Sequence, residues 1–88
     1  MLIPEYTTQF RRDYRLSTKR GLDMSLIDEV IDDLIEERPL REKHRDHALK
    51  GEYVGCRECH VQPDWLLVYR IVGSDIIFVR TGTHSDLF

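Results

Sequence analysis

Side chains that can transfer protons or hold a phosphate cluster in the last third of this 88-residue chain. His60 and Asp64 lie just before one very apolar segment, and Arg80 and His84 lie at the end of the next. Two histidines can remove one proton and deliver another near neutral pH, because their ordinary pKa is about 6.5. A planar guanidinium suits phosphate oxygens. These residue types therefore predict proton-transfer chemistry at a phosphate.

His47, in a polar stretch between residues 39 and 52, is a third candidate for proton transfer. Trp65 and Phe88 are candidates for stacking on a nucleic-acid base, with core packing as the alternative for Trp65. We expect His44, which stands between a lysine and an arginine, to be a solvated surface residue. Asp64 could orient a histidine or itself act on a proton.

The chain has no glycine-rich phosphate loop, no nucleophile elbow and no cluster of carboxylates for paired metals. Metal-free proton transfer without a cofactor is then the simplest enzymatic reading, and cleavage of RNA suits it well. A base removes the 2′-hydroxyl proton, the oxygen attacks phosphorus, and an acid protonates the departing 5′ oxygen while a cation offsets the charge on the phosphate. The expected product is a 2′,3′-cyclic phosphate, and DNA would be inert.

The run from Cys56 to His60 matches the C-x-x-C-H pattern of covalent haem attachment. Haem is disfavoured because no export signal is visible and because positions three apart on a strand face opposite ways. A zinc site built from Cys56, Cys59, His60 and His84 is also disfavoured, since only one closely spaced ligand pair exists. We expect two reduced cysteines that pack as small apolar residues.

Two amphipathic helices are predicted in the first half of the chain. Thr7 or Thr8 can cap the first helix, and Gly21 follows its end. At the start of the second helix, Ser25 and Asp28 resemble a capping box. An apolar stripe at spacings of three and four then marks the face that packs in the core.

Strands are predicted at about Leu2–Tyr6, Tyr53–Val61, Trp65–Val72 and Asp75–Thr81, with a tight turn at residues 73 and 74. This order predicts a single α+β domain over residues 1–88, in which an N-terminal strand and a two-helix hairpin precede a three-stranded antiparallel meander packed against the helices. On the last strand Arg80 and Gly82 share a face, which His84 joins if the chain stays extended.

The net charge of −3 hides a basic patch on the first helix and an acidic second helix. The basic patch can still meet a polyanion locally, because screening limits the reach of the acidic charges to about 8–10 Å. The alternative is two solvated faces that partly neutralise each other. No segment approaches the roughly 20 apolar residues of a membrane helix, and no signal peptide is visible, so we expect a cytoplasmic protein.

Several ordered motifs resemble the YafQ branch of the RelE-type toxins, which are ribosome-dependent mRNA endoribonucleases of bacterial toxin–antitoxin pairs. The resemblance covers about residues 45 to 88. The motifs that carry it are Asp46-His-Ala-Leu-Lys-Gly51, Arg57-Glu-Cys-His60, Pro63-Asp-Trp-Leu-Leu-Val-Tyr69 and Arg80-Thr-Gly-Thr-His-Ser-Asp-Leu-Phe88.

The resemblance implies a RelE-like sandwich of the microbial ribonuclease type, which enters the ribosomal A site and cuts mRNA between codon nucleotides. It also implies an inhibitory antitoxin, often with a DNA-binding part, so that operator DNA is met only through the antitoxin and no membrane is involved. The alternative is a catalytically inactive toxin-like module that binds the ribosome or a partner protein.

The resemblance also implies an active site, whose matching residues are His47, His60, Asp64, Arg80, His84 and Phe88, with Trp65 beside them. We hypothesise that His47 or His60 is the general base, His84 the general acid and Arg80 the phosphate clamp. Asp64 would tune the histidines or share the acid–base work, and Phe88 would help to place the base. Neither cysteine has a role in this pattern. The catalytic set is His47, His60, Asp64, Arg80 and His84, the substrate-binding set is Trp65, Phe88 and Lys50, and the ribosome-binding set is Arg11, Arg12 and Arg15.

Overall fold

The computed structural model describes every residue from Met1 to Phe88. Five strands and three helices make up the fold, together with two single turns of 3-10 helix at Glu42–His44 and Gly51–Tyr53. In chain order the elements are β1 (Ile3–Tyr6), α1 (Thr8–Lys19), α2 (Met24–Ile35), β2 (His47–Ala48), β3 (Arg57–Gln62), β4 (Trp65–Val72), β5 (Asp75–Gly82) and α3 (His84–Leu87). The strands form one sheet in the order β1-β5-β4-β3-β2.

The sheet confirms the predicted α+β class and the meander of β3, β4 and β5, whose pairings are antiparallel. β1 lies at one edge of the sheet, as Pro4 predicts, and pairs in parallel with β5. The two-residue strand β2 was not predicted, because it is too short to carry a periodic signal. β3 begins at Arg57 rather than at Tyr53, since residues 51–53 form a 3-10 turn and Gly55 has a φ of 88°.

Side-chain hydrogen bonds to main-chain N–H groups of the first turn mark where α1 and α2 begin. The Thr7 hydroxyl accepts from the main-chain N–H of Phe10 at 2.9 Å, which confirms Thr7 as the N-cap of α1. The predicted Ser25–Asp28 capping box is wrong. Asp23 caps α2 instead, and its carboxylate accepts both the main-chain N–H (3.1 Å) and the hydroxyl (2.6 Å) of Ser25, which lies inside the helix.

The apolar core lies on both faces of the sheet. The helix face, which α1 and α2 cover, includes Cys59, Leu67 and Phe78. The open face carries a smaller cluster formed by Cys56, Leu66, Val68 and Leu87, the last from α3. The two cysteines are free thiols on opposite faces, so the zinc site that required both of them is excluded. Burial raises the pKa of the Cys59 thiol well above its usual value.

None of the three helices has the length and apolar character needed to span a membrane.

Candidate active site

Three imidazole rings lie in a row across the open face of the sheet. His60 pairs with Leu66 across β3 and β4, and its ring centroid lies 6.2 Å from that of His47 on β2. The ring of His84, at the start of α3, lies 5.8 Å from that of His60 on the other side. The fold thus brings together the three histidines predicted to transfer protons, with His60 in the middle.

Glu58 lies between His47 and His60 and was missed in the sequence. Its Oε1 atom is 3.6 Å from Nε2 of His47 and 3.5 Å from Nε2 of His60. The residue is only 4% exposed, and its buried Oε2 atom has no hydrogen-bond partner. A buried carboxylate without a full set of partners is costly, which is typical of a functional position. The signal in the sequence is its place two residues before His60, on the same face of β3.

His84 is held by Asp64, which lies in the turn between β3 and β4. The Oδ1 atom of Asp64 accepts from the main-chain N–H of His84 at 3.0 Å and from ring Nδ1 at 2.6 Å. These two N–H groups lower the pKa of Asp64, the main-chain one more strongly. A carboxylate can only accept here, so Nδ1 carries the proton and Nε2 is left for other work.

His84 was expected to share a strand face with Arg80 if the chain stayed extended. The chain does not stay extended, because α3 begins at His84. Thr83 caps α3 in a capping box with Asp86, and this turns the chain out of β5 at Gly82. A Cβ atom on Gly82 would lie 2.9 Å from the side chain of Asp86, so only glycine fits this close approach. Arg20, which follows the last residue of α1, forms an ion pair with Asp86, with Nη1 2.7 Å from Oδ2. This ion pair fixes α3 against the helix layer.

Arg80 reaches the open face because β5 contains a β-bulge. Val68 pairs with Arg80 but Tyr69 pairs with Phe78, so Val79 is the extra residue. The partner of the guanidinium is Asp13 on α1, whose two oxygens accept from Nε at 2.8 Å and from Nη2 at 3.1 Å. This pairing raises the pKa of Arg80 further above its usual value.

The predicted substrate-binding residues lie in three different environments. Phe88 is 64% exposed and packs edge-on against Tyr53, with ring centroids 5.6 Å apart, so its outer face is free to stack. Lys50 is exposed, and its side chain has no ion pair. Trp65 is only 3% exposed, within the helix-face cluster, and its Nε1 donates to Thr81. Stacking of Trp65 on a base is therefore the wrong prediction, and core packing is the right one.

Three further contacts fix the loop that carries His47. Asp46 accepts from the Tyr69 hydroxyl at 2.8 Å and from Nε of Arg57 at 3.1 Å. Burial first, and then this hydrogen bond, raise the pKa of Tyr69, so the phenol stays neutral. His44 is not a free surface group as expected, because its Nδ1 lies 2.6 Å from the main-chain oxygen of His60 and ties the loop to β3.

The predicted ribosome-binding arginines, Arg11, Arg12 and Arg15, are all exposed on α1. Two of them, Arg11 and Arg15, line an open groove of about 360 Å³ whose other walls are aromatic. Neither forms an ion pair within the chain, so both charges are available to a polyanion.

A metal ion could be held only by the cluster of His47, Glu58 and His60, whose ligand atoms lie within 4.8 Å of one another. Two imidazoles and a carboxylate suit zinc or copper, and the orphaned Oε2 atom of Glu58 would gain a partner. The donor set therefore fits a transition metal, although three protein ligands leave its coordination open.

A five-stranded sheet with a row of histidines and an arginine on its open face defines a small ribonuclease-like domain. The family model described as "Bacterial toxin of type II toxin-antitoxin system, YafQ" matches residues 2–88, and the chain belongs to this family. This membership confirms the resemblance found in the motifs.

Relatives of known name or structure agree with this assignment. The chain is 40% identical over 85 residues to the mRNA interferase toxin YafQ of Escherichia coli strain K12, covering 96% of this chain and 92% of that one. It shares 38% identity and a TM-score of 0.93 with YafQ in the crystal structure of the E. coli DinJ–YafQ complex, covering 100% and 99% of the two chains. A metal-bound toxin from Helicobacter pylori is 42% identical with a TM-score of 0.93, and both chains are covered completely.

Proposed function

We propose that this chain is an mRNA interferase that cuts mRNA in the ribosomal A site by metal-free acid–base catalysis. The observation that carries the proposal is the row of three imidazoles, with His84 held by Asp64 and the other two sharing Glu58. The names of the E. coli relatives support mRNA as the substrate. The exposed arginines of α1 support docking on ribosomal RNA.

In the proposed mechanism, His47 or His60 removes the 2′-hydroxyl proton of the nucleotide before the cut. Both rings place Nε2 within 3.6 Å of the Glu58 carboxylate, so a carboxylate oxygen lies beside the ring that takes up that proton. The 2′ oxygen then attacks the adjacent phosphorus. This step forms the P–O bond of a 2′,3′-cyclic phosphate and breaks the bond to the 5′ oxygen.

His84 donates the proton that the departing 5′ oxygen needs. Asp64 keeps its Nδ1 protonated and its ring fixed, so Nε2 is the atom that faces the substrate. Arg80 offsets the charge that grows on the phosphate, and its pairing with Asp13 keeps it charged. Phe88, exposed beside Tyr53, would stack on a base next to the cut. This stacking would hold the reacting phosphate beside the catalytic residues.

An antitoxin partner and a cytoplasmic location complete the proposed function. The structure of an E. coli YafQ bound to DinJ supports an antitoxin partner for this chain. Operator DNA would be reached only through that antitoxin. A cytoplasmic location is part of the proposal, because ribosomes and mRNA are the proposed substrate.

A substrate lacking one hydroxyl tests the mechanism. Purified ribosomes are programmed with an mRNA that carries a single 2′-deoxynucleotide before the cut, and the all-ribose mRNA is the matched control. We expect cleavage of the control in the presence of a chelator, with cyclic-phosphate ends, and none of the deoxy substrate. Cleavage of the deoxy mRNA would contradict attack by the 2′ oxygen, and ribosome binding without any cleavage would favour the inactive binding module.

Metal binding at His47, Glu58 and His60 is a second candidate function, favoured by the orphaned Glu58 oxygen and by the metal-bound relative from H. pylori. A bound ion would occupy the imidazole nitrogens that accept protons, so we expect zinc or copper to inhibit cleavage. Calorimetric titration of the chain and of Glu58→Gln with each metal tests this. Equal affinity of both chains would exclude the cluster as the site.

A further inference from the structure

Asp13 is the single acidic residue of α1, which otherwise presents exposed arginines and lysine. Unlike those neighbours it points inward and is only 7% exposed. No role follows for it from the sequence. A buried carboxylate within a basic helix requires specific partners, because burying an unpaired charge is strongly unfavourable.

Four donors converge on the Asp13 carboxylate. Arg80 donates from Nε to Oδ2 at 2.8 Å and from Nη2 to Oδ1 at 3.1 Å. The main-chain N–H of Thr81 reaches Oδ2 at 3.2 Å, and the Gln9 amide reaches Oδ1 at 3.1 Å. Each carboxylate oxygen therefore accepts two hydrogen bonds, and the orientation of the carboxylate is fixed from both α1 and β5.

The pairing with Asp13 is side-on, and it leaves the end of the guanidinium directed away from Asp13. A guanidinium has five N–H groups, and Asp13 uses the one on Nε and one on Nη2. The two N–H groups of Nη1 and the second one of Nη2 are not used by Asp13, and the Tyr53 hydroxyl lies beside the guanidinium as a further partner. One N–H of Nη1 and the second N–H of Nη2 form the end-on fork that can bind two phosphate oxygens at once, in competition with Tyr53.

We propose that Asp13 is a positioning residue for RNA cleavage, which holds the Arg80 guanidinium side-on so that its end-on fork meets the reacting phosphate. This inference rests on the proposed function, because it gives Arg80 its role as the phosphate clamp. Asp13 does not touch the substrate and acts only through Arg80. The catalytic site therefore extends through the edge of β5 to the helix layer.

A purely structural role, in which Asp13 only ties α1 to β5, predicts a different behaviour. A structural tie acts on stability, so its loss would lower the thermal midpoint and would leave the cleavage rate of the folded protein unchanged. A positioning role lowers the cleavage rate of the folded protein, and this effect disappears once Arg80 is removed, since nothing is left to position. Non-additivity in the cleavage rate, measured at a temperature at which every variant is folded, therefore separates the two roles.

The experiment measures single-turnover cleavage of a defined mRNA on saturating ribosomes by wild type, Asp13→Asn, Arg80→Gln and the double variant. The asparagine keeps the shape of Asp13 but turns an NH2 group toward a donor of Arg80. Asp28→Asn is the matched control, since Asp28 accepts from Tyr14 on α1 at 2.7 Å without touching Arg80. The thermal midpoint and the ribosome affinity of each variant are measured alongside.

We expect Asp13→Asn to slow the cleavage step about 10- to 100-fold, with ribosome affinity unchanged and the control at the wild-type rate. The double variant should be no slower than Arg80→Gln alone. Full cleavage by Asp13→Asn, or losses that multiply in the double variant, would overturn the inference while leaving the proposed function in place. Failure of the wild type to cleave overturns both.

A second variant keeps the inference testable if Asp13→Asn folds poorly. Arg80→Lys retains the positive charge. A single ammonium group, however, cannot form a two-point hydrogen bond with Asp13 and at the same time present a planar pair of N–H donors to the phosphate. We expect it to lose as much activity as Arg80→Gln. Wild-type cleavage by Arg80→Lys would overturn the inference.

Discussion

One oxygen of Asp64 holds His84 at two points, accepting the ring Nδ1 proton at 2.6 Å and the main-chain N–H at 3.0 Å. The first contact fixes the tautomer and the second fixes the start of α3. The His84 side chain nevertheless stays 54% exposed, so its other nitrogen can reach a substrate. Asp64 thus orients the proposed acid and does not need to reach the substrate itself.

Removing the Asp64 carboxylate should release the His84 ring. We expect Asp64→Ala to slow cleavage about 100-fold or more and Asp64→Asn to slow it less, because an amide oxygen can still accept from the main chain. Nitrogen NMR of the imidazole should show Nδ1 protonated in the wild type and a mixture of tautomers in the alanine variant. An unchanged tautomer in Asp64→Ala would contradict the orienting role.

Docking of α3 should weaken in acid. The Arg20 guanidinium, and then the main-chain N–H of Thr83, hold the pKa of Asp86 well below its usual value. A carboxylate whose pKa is lower in the folded than in the unfolded chain stabilises the fold above its unfolded value, about 3.9, and the stabilisation is lost as the pH falls through the folded value.

Urea unfolding at a series of pH values tests this effect. We expect the wild type to have a larger free energy of unfolding than Asp86→Asn at neutral pH. The difference between the two should shrink as the pH falls below about 4. Ser85→Ala, on the same helix, is the control and should differ from the wild type by a constant amount. A gap between wild type and Asp86→Asn that persists in strong acid would show that charge is not the cause.

Gly82 should tolerate no side chain. A Cβ atom there would lie 2.9 Å from Cβ and Oδ2 of Asp86, so α3 would have to move away from β5. We expect Gly82→Ala to lower the free energy of unfolding by about 1–3 kcal/mol and to reduce cleavage, because α3 carries His84. Denaturant unfolding and ribosome cleavage measure the two effects. A variant as stable and active as the wild type would refute the close approach.

The arginines of α1 should bind RNA phosphates. We expect replacement of Arg11, Arg12 and Arg15 by glutamate to weaken ribosome binding and to flatten its salt dependence, by about 0.7–0.9 in log–log slope for each phosphate that is no longer bound. Arg70→Glu, a charge reversal at an exposed position of β4, is the control and should change little. Unchanged binding by the triple variant would remove this face from the interface.

The sequence predicts those elements whose ends are marked by local signals. The bounds of β4 agree with the prediction, because a proline-containing turn precedes Trp65 and Gly73 begins the turn that follows Val72. The cap at Thr7 is similarly local. The predicted start of α2 near Asp23 is right, but the capping residue was misassigned because Asp23 and Ser25 are both good caps, and only the main-chain geometry decides between them.

The site was predicted less completely, because its contacts join residues that are distant in the chain. The histidines are recognisable by type alone. Glu58 becomes a candidate only when the register places β2 beside β3, and Asp13 only when the fold brings α1 within hydrogen-bond distance of Arg80 on β5. Trp65 shows the converse, since its residue type suggests stacking while its strand position buries it.

Cleavage of a defined mRNA on purified ribosomes, by wild type and by His84→Ala, tests the central claim most directly. We predict discrete cuts in the A site with cyclic-phosphate ends for the wild type, and none for the variant or without ribosomes. Arg70→Ala, which removes an exposed side chain of β4 outside the row, serves as the control and should still cleave. Equal cleavage by the wild type and His84→Ala would contradict the account, because no other group is assigned to protonate the leaving oxygen.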